Sequence, residues 1–208
     1  MKAVFNPGLY AITAQRYPDL DRLGREVRSA LEGGAAMVQF RDKSGDFDWR
    51  LEATGHLMSI CAEFGVPLII NDDVELAASV GAAGVHLGRN DESPGRARAM
   101  LGADFVLGLS CYNSLDRARE AAEGGADYLA FGSVHASASK PDAVHCPLET
   151  LTQARTFGLP LVAIGGITPD NGRAIVQAGA DSLAVISAVF DAPDIREAAR
   201  SFARIWIT

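Results

Sequence analysis

Scarcities set the first bounds on this chain. Three cysteines, Cys61, Cys111 and Cys146, stand singly among 208 residues, with no Cys-x-x-Cys spacing. An odd number without close pairs signals neither a disulfide framework nor a zinc site, so free thiols in a reducing compartment are expected. Positive charge is short as well: 19 Lys and Arg stand against 26 Asp and Glu, a net charge of −7. A general nucleic-acid binder needs a basic surface to displace counterions, so no nucleic-acid partner is expected. A few local cations can still make a pocket for a small anion. No apolar run approaches the ~20 residues of a membrane span. The opening stretch Met1–Thr13 lacks a long apolar core followed by a small-residue cleavage site. No membrane association and a cytoplasmic location are therefore expected. No linker, low-complexity tract or charge block divides the chain, so residues 1–208 are expected to form one domain around one core.

What the chain does have is alternation. Eight short apolar runs recur, at Leu9–Thr13, Met37–Phe40, Pro67–Ile70, Gly84–Leu87, Phe105–Leu109, Tyr128–Phe131, Leu161–Ile164 and Ser182–Ile186. Most are continuously apolar, as parallel strands covered on both faces must be. Stretches with helical spacing separate them. Leu20, Leu23, Val27 and Leu31 share one helical face, and Leu57, Ile60, Cys61 and Phe64 share another, both expected to pack on the core. Gly33-Gly34-Ala35, Gly81-Ala82, Gly124-Gly125-Ala126 and Gly179-Ala180 each close a helical stretch before a strand, where glycine accepts a left-handed backbone. Eight such alternations predict an α/β fold, a single-domain (β/α)8 TIM barrel, with a doubly wound sheet as the alternative.

In such a barrel the active site lies at the C-terminal ends of the strands, and the polar residues of this chain gather there. After the second run come Gln39, Phe40, Arg41, Asp42 and Lys43. In extended backbone Gln39, Arg41 and Lys43 project the same way, presenting an amide and two cations to a polyanion. A solvated strand end with Arg41 paired to an Asp is the plainer reading. After the third and fourth runs come Asn71-Asp72-Asp73 and Gly88-Arg89-Asn90-Asp91. Adjacent strand ends bring Asp72 and Asp91 together, and Mg2+ is commonly held by one or two carboxylates plus phosphate oxygens and water. Asp73 and Asp91 are alternatively helix caps, for helices beginning near Val74 and Pro94. His86 reads as a structural histidine. Ser110 after the fifth run is placed to touch a ligand, while Cys111 has no group to activate it. After the sixth run, Ser137, Ala138, Ser139 and Lys140 put hydroxyls beside a lysine. Gly165-Gly166-Ile167 and Ile186-Ser187 close the seventh and eighth runs, the recurrent phosphate site of this barrel class.

Together these segments resemble the thiamine phosphate synthase family, from about Leu9 to Phe190. The family's Gln-x-Arg-x-Lys appears as Gln39, Arg41 and Lys43, its Asn-Asp as Asn71 and Asp72, and its His-Leu-Gly-x-x-Asp from His86 to Asp91. Its serine after strand five is Ser110, its Gly-Gly-Ile is Gly165 to Ile167, and its final Ile-Ser is Ile186-Ser187. The resemblance implies an enzyme that joins a pyrimidine bearing a methyl diphosphate to a thiazole bearing an ethyl phosphate. It implies pyrimidine diphosphate contacts from Gln39, Phe40, Arg41, Asp42, Lys43, Asn71, Ser110 and Lys140. Asp72 and Asp91 would hold Mg2+, and Ser137, Ala138, Ser139, Gly166, Ile186 and Ser187 would hold the thiazole phosphate. Arg41, Lys43, Ser110 and Lys140 would act on the leaving pyrophosphate.

The chain departs from the family pattern after the sixth run. The family commonly reads Gly-Pro-x-Phe-Pro-Thr-x-Thr-Lys, and here Ser133, His135, Ala136, Ser137 and Ser139 replace the prolines, phenylalanine and threonines. Two rivals share the scaffold and the phosphate contacts. A thiazole tautomerase would want a histidine after the fifth run, where this chain has Ser110-Cys111-Tyr112-Asn113. A non-catalytic binder of thiamine intermediates would not need two carboxylates for Mg2+. A homo-oligomer is compatible with the sequence.

Overall fold

The computed structural model describes residues 5–14, 17–136 and 144–207. Eight parallel strands close one barrel in chain order: β1 (Gly8–Ile12), β2 (Ala35–Phe40), β3 (Leu68–Asn71), β4 (Gly84–Leu87), β5 (Val106–Tyr112), β6 (Tyr128–Gly132), β7 (Leu161–Ile164) and β8 (Ser182–Val185). β8 pairs back onto β1, with Leu9 opposite Leu183 and Ala11 opposite Val185, which rules out the doubly wound sheet. The helices are α1 (Leu20–Glu32), α2 (Phe47–Phe64), α3 (Val74–Val80), α4 (Pro94–Leu101), α5 (Leu115–Glu123), α6 (Leu148–Ala154), α7 (Pro169–Gln177), α8 (Ser187–Phe190) and α9 (Ile195–Ala203). The eight expected runs all form strands. β5 runs on to Tyr112, beyond the expected end at Leu109, because its last residues still pair with β6 across a bulge. No helix among the described residues is long and apolar enough to cross a membrane.

Side-chain alternation splits each strand between two cores. Tyr10, Met37, Ile69, Tyr128, Val162 and Ala184 belong to the core inside the barrel. Their neighbours, such as Leu9, Val38, Ile70 and Leu183, face outward and pack against the helices. The lumen admits one large ring by omitting a side chain elsewhere. A Cβ on Gly108 would lie 2.0 Å from Cζ of Tyr128, so the Tyr128 ring occupies the space that a side chain on β5 would need.

The glycine repeats end helices as expected, with one refinement. In the doublets the first glycine keeps a right-handed φ, −78° at Gly33 and −76° at Gly124. The second takes the positive φ, 100° at Gly34 and 83° at Gly125. Two of these turns carry an aspartate that fastens the strands below. Asp127 accepts from Leu107 N at 2.8 Å and donates its own N–H to Leu107 O at 2.7 Å. Asp181 repeats both bonds with Leu161, each at 2.8 Å. Arg98 holds Asp127 and also donates to Phe105 O and Gly125 O, while Arg155 holds Asp181.

The helical stripes largely face inward. Leu23, Val27 and Leu31 of α1 and Leu57, Ile60 and Cys61 of α2 are buried, with Leu20 half-buried. Phe64 departs from expectation: it is exposed at the end of α2, its ring 5.7 Å from the Arg28 guanidinium carbon. At the last residue of the helix a cation covers the ring in place of the core. All three cysteines are buried and unpaired, and burial pushes the Cys61 and Cys111 thiols up to about 12.

Two glycine substitutions separate packing from propensity. Gly108→Ala should cost about 3 kcal/mol, the upper range for overpacking, because the ring it meets has no free space to enter. Gly55→Ala, in mid-α2 with nothing within 4 Å of the added carbon, should instead stabilise by about 1 kcal/mol. Urea midpoints at constant m would check both.

Candidate active site

The ends of β2 to β5 build an acidic and cationic cleft from backbone turns. Thr13, buried just past β1, accepts from Arg41 N at 2.9 Å and donates to Arg41 O at 3.3 Å, which fixes the chain where it leaves β2. Gln39 is buried in the lumen and donates to Tyr10 Oη at 2.8 Å. Phe40 packs outward against the helices, so its side chain faces away from the barrel mouth. Asp42 braces the following loop, accepting from Ser44 N at 2.6 Å and Trp49 Nε1 at 3.2 Å. Arg41 is half-buried, and Lys43 reaches across to form an ion pair with Asp72.

Asp72 owes its direction to an unusual backbone. Its φ is 64°, its N–H donates to His86 O at 2.8 Å, and Asp73 N donates back to Asn71 O at 2.8 Å. A left-handed residue is tolerated by aspartate more readily than by most others. The turn sends the two neighbouring carboxylates different ways. Asp73 caps α3 by accepting from Leu76 N at 2.8 Å and pairs with Arg50 at 3.0 Å, as the capping alternative expected. Asp72 meets Lys43, the Asn71 side chain and the Asp91 carboxyl. Asp91 accepts from Gly88 N at 2.6 Å, whereas α4 is capped by Ser93. The capping alternative for Asp91 is thereby overturned, because the chain turns once more before the helix starts.

The two carboxyls share one environment and titrate apart. Burial works to raise both. At Asp72 the hydrogen bonds from Asp91, Lys43 and Asn71 outweigh it and lower the pKa. At Asp91 burial and the neighbouring Asp72 raise the pKa. Two like charges in contact are costly unless a proton or a cation sits between them. No group of three or more His, Cys, Asp or Glu side chains suited to a metal occurs among the described residues. Two carboxylates nevertheless fit a hard divalent cation whose remaining positions are filled by ligand oxygens and water.

Ser110 on β5 is tied into the lumen. Its Oγ lies 2.8 Å from His86 Nε2, and His86 Nδ1 lies 2.9 Å from Tyr128 Oη. His86 therefore lies beneath the site and is bonded to a site residue, which its position mid-strand did not announce. Sequence reasoning also passed over Arg89 and Arg117. Their guanidinium carbons stand 5.0 and 5.4 Å from the Tyr112 ring centroid, next to Ser110. No spacing rule ties three residues on a strand, a loop and a helix into such a stack.

At the far side of the barrel mouth, β6 and β7 interlock beyond their strand ends. Val134 N donates to Ile164 O at 3.0 Å and His135 N donates to Gly165 O at 3.1 Å. A Cβ on Gly165 would lie 1.9 Å from Ser133 Oγ, and one on Gly166 would lie 2.4 Å from Ala136 O. The Gly-Gly pair is thus required by loop packing, independently of any phosphate. Three of the positions that depart from the family pattern, Ser133, His135 and Ala136, sit in this contact. Asn171 secures it, donating to Gly166 O at 2.9 Å while completing a capping box with Thr168. Ser137, Ala138, Ser139 and Lys140 lie outside the described residues. Ile186 packs against the lumen core, and the exposed Ser187 opens the four-residue α8. The structure thus joins Lys43, Asn71, Asp72 and Asp91 by direct contact and links Gln39 to Ser110 through the lumen. Gly166, Ile186 and Ser187 form a separate group at the ends of β7 and β8.

Comparison with known proteins finds a family match over most of the chain. A family described as thiamine monophosphate synthase matches residues 9–189. The thiamine-phosphate synthase of Thiobacillus denitrificans is 52% identical over 203 residues, covering 97% of this chain and 96% of its own. The solved thiamine phosphate pyrophosphorylase of Pyrococcus furiosus superposes with a TM-score of 0.86 at 37% identity, covering 95% and 94% of the two chains. Orotidine 5'-phosphate decarboxylase of Pyrococcus horikoshii, at 17% identity and a TM-score of 0.69 over 95% and 99%, shares the fold alone.

The carboxyl pair makes a sign-defined prediction. A folded-state pKa raised at Asp91 means that its ionisation removes stability as pH climbs past the ordinary carboxylate range. In metal-free buffer, Asp91→Asn should therefore gain thermal stability relative to wild type between about pH 4 and pH 7. Added Mg2+ should raise the wild-type Tm and leave the variant unchanged. Thermal melts across pH, with and without Mg2+, would show both effects.

Proposed function

Given that the chain belongs to the thiamine monophosphate synthase family, a transferase of thiamine biosynthesis, we propose that it condenses 4-amino-2-methyl-5-(diphosphooxymethyl)pyrimidine with thiazole ethyl phosphate, carboxylated or not. The products are thiamine phosphate and pyrophosphate, with CO2 also lost from a carboxylated thiazole. The observation that carries this reading is the contact set of Lys43, Asn71, Asp72 and Asp91 at adjoining strand ends, with Ser110 on the next strand. A cation, an amide, a hydroxyl and a paired carboxylate site suit a magnesium diphosphate.

The chemistry follows from where charge develops. The bond from the methylene carbon to the diphosphate oxygen breaks, and its electron pair leaves with pyrophosphate. The electron-rich aminopyrimidine spreads the positive charge left on carbon, so departure precedes attack. The thiazole nitrogen then gives its lone pair to that carbon and becomes the thiazolium. With the uncarboxylated thiazole no proton is transferred, so no base is required; loss of CO2 from a carboxylated thiazole leaves its electron pair on the ring carbon, which takes up a proton from water.

The residues act mainly by neutralising and holding. Asp72 and Asp91 would hold Mg2+, which when bound supplies positive charge to the diphosphate oxygens. Arg41, Lys43 and Lys140 add fixed positive charge to the leaving group. Gln39, Asn71 and Ser110 hold the pyrimidine diphosphate, with the backbone of Phe40 and Asp42 beside it. The segment Ser137, Ala138 and Ser139, together with Gly166, Ile186 and Ser187, holds the thiazole phosphate. Holding the two rings in attack geometry contributes the rest.

Pyrophosphate release should require both substrates and Mg2+ and should stop on chelation. Lys140→Ala should lower kcat by about 10²–10³-fold, the usual loss for one transition-state charge stabiliser, without changing the unfolding midpoint. A normal α-secondary deuterium isotope effect at the methylene would report the dissociative step. Unchanged turnover in Lys140→Ala, or no pyrophosphate release, would count against the assignment.

A further inference from the structure

Five polar side chains from five strands form one unbroken file through the barrel. Gln39 of β2 donates to Tyr10 Oη of β1 at 2.8 Å. Tyr10 Oη lies 3.0 Å from Tyr128 Oη of β6, and Tyr128 Oη lies 2.9 Å from His86 Nδ1 of β4. His86 Nε2 lies 2.8 Å from Ser110 Oγ of β5. Gln39 and both tyrosines are buried; only His86 and Ser110 are half-exposed, at the mouth. The rings are packed as well as bonded. His86 stacks on Tyr128 with centroids 5.5 Å apart and planes 19° apart, and Tyr10 meets Tyr128 edge-on at 6.1 Å.

With His86 neutral, such a file has only two proton orders. Burial drives both phenols well above their ordinary range, so each carries one proton and donates once. With the Gln39 amide N–H pointing at Tyr10, the Tyr10 proton must go to Tyr128, and the Tyr128 proton to His86 Nδ1. An accepting Nδ1 leaves the imidazole neutral, with its proton on Nε2, aimed at Ser110 Oγ. The Ser110 proton is then the one left over for the site. The opposite order, with the Gln39 carbonyl toward Tyr10, would turn the Ser110 proton down to His86. Ser110 would then show an anionic ligand only its lone pairs.

We propose that this lumen file sets the proton order of the active-site floor: Tyr10 and Tyr128 hold His86 as the Nε2–H tautomer and so present Ser110 as a hydrogen-bond donor to the pyrimidine diphosphate. Tyr128 is then a positioning residue that acts through His86 and touches no substrate. Gly108 is part of the device, because only glycine there leaves room for the Tyr128 ring. The proposal rests on the assignment of Ser110 to that substrate.

The tautomer is directly readable. Long-range proton–nitrogen correlation on histidine-labelled protein without substrate, with His86 identified by its loss in His86→Gln, should show Nδ1 bare and Nε2 protonated. Tyr128→Phe should remove that preference. It should also lower kcat/KM roughly tenfold, the equivalent of one hydrogen bond of about 1.4 kcal/mol. In a Ser110→Ala background the same change should cost nothing further, since the donor it orients is gone. Tyr10→Phe, which cuts the file one link earlier, should reproduce the loss of tautomer preference if Tyr128→Phe folds poorly. A proton on Nδ1 in the wild type, or equal losses from Tyr128→Phe with and without Ser110, would overturn the proposal. An inactive protein with the expected tautomer would overturn the functional assignment while leaving the proton order standing.

Discussion

Closure of the barrel is the constraint on which everything else depends. Pairing β8 to β1 leaves no sheet edge, so every strand must supply one side chain in two to a lumen of limited width. Eight strands also deliver eight C-terminal ends to one rim. Lys43, Asp72, Asp91 and Ser110 come from segments separated by as many as 67 residues, from Lys43 to Ser110, and meet because neighbouring strands in the ring are neighbours in sequence.

The filling of the lumen links stability to chemistry. Among its apolar side chains it carries Gln39, Tyr10, Tyr128, His86 and Ser110, each hydrogen-bonded to the next. A polar group buried without a partner costs about 1–3 kcal/mol, so this part of the core is tolerable only as a complete network. Completeness in turn restricts how each group can face the cleft. The cleft above follows the opposite rule. Asp72 and Asp91 are held in contact although burial opposes their joint ionisation, an arrangement that suits the arrival of a cation better than its absence. The rigid network below and the unbalanced charge above suit a floor that orients and a rim that binds.

The phosphate side of the mouth shows how one residue type serves two demands. Gly165 and Gly166 satisfy the close approach of the β6 loop, and Asn171 pins the result. Serine at 133 and alanine at 136 fit because the contact is made mostly by backbone and small atoms. The chain tolerates these departures from the family pattern for that reason.

The sequence by itself determined the architecture and which polar residues stand at the strand ends. Continuous apolar runs, spaced helices and helix-ending glycines at four turns are local signals, and parallel strands buried on both faces cannot be written in other residues. The motif around Gln39, Asn71, Asp91 and Gly165 was legible because it sits at strand ends, a position that can be counted along the chain. Tertiary structure alone decided the rest. Whether Asp91 caps a helix or faces Asp72 depended on one extra turn before Ser93. Whether Phe64 lay in the core or under the Arg28 guanidinium depended on how α2 ends against α1. That His86, Tyr10 and Tyr128 form one network with Ser110 could not be read from spacing, because hydrogen-bond partners across a barrel are fixed by strand stagger and lumen width, and neither leaves a periodic mark in the sequence.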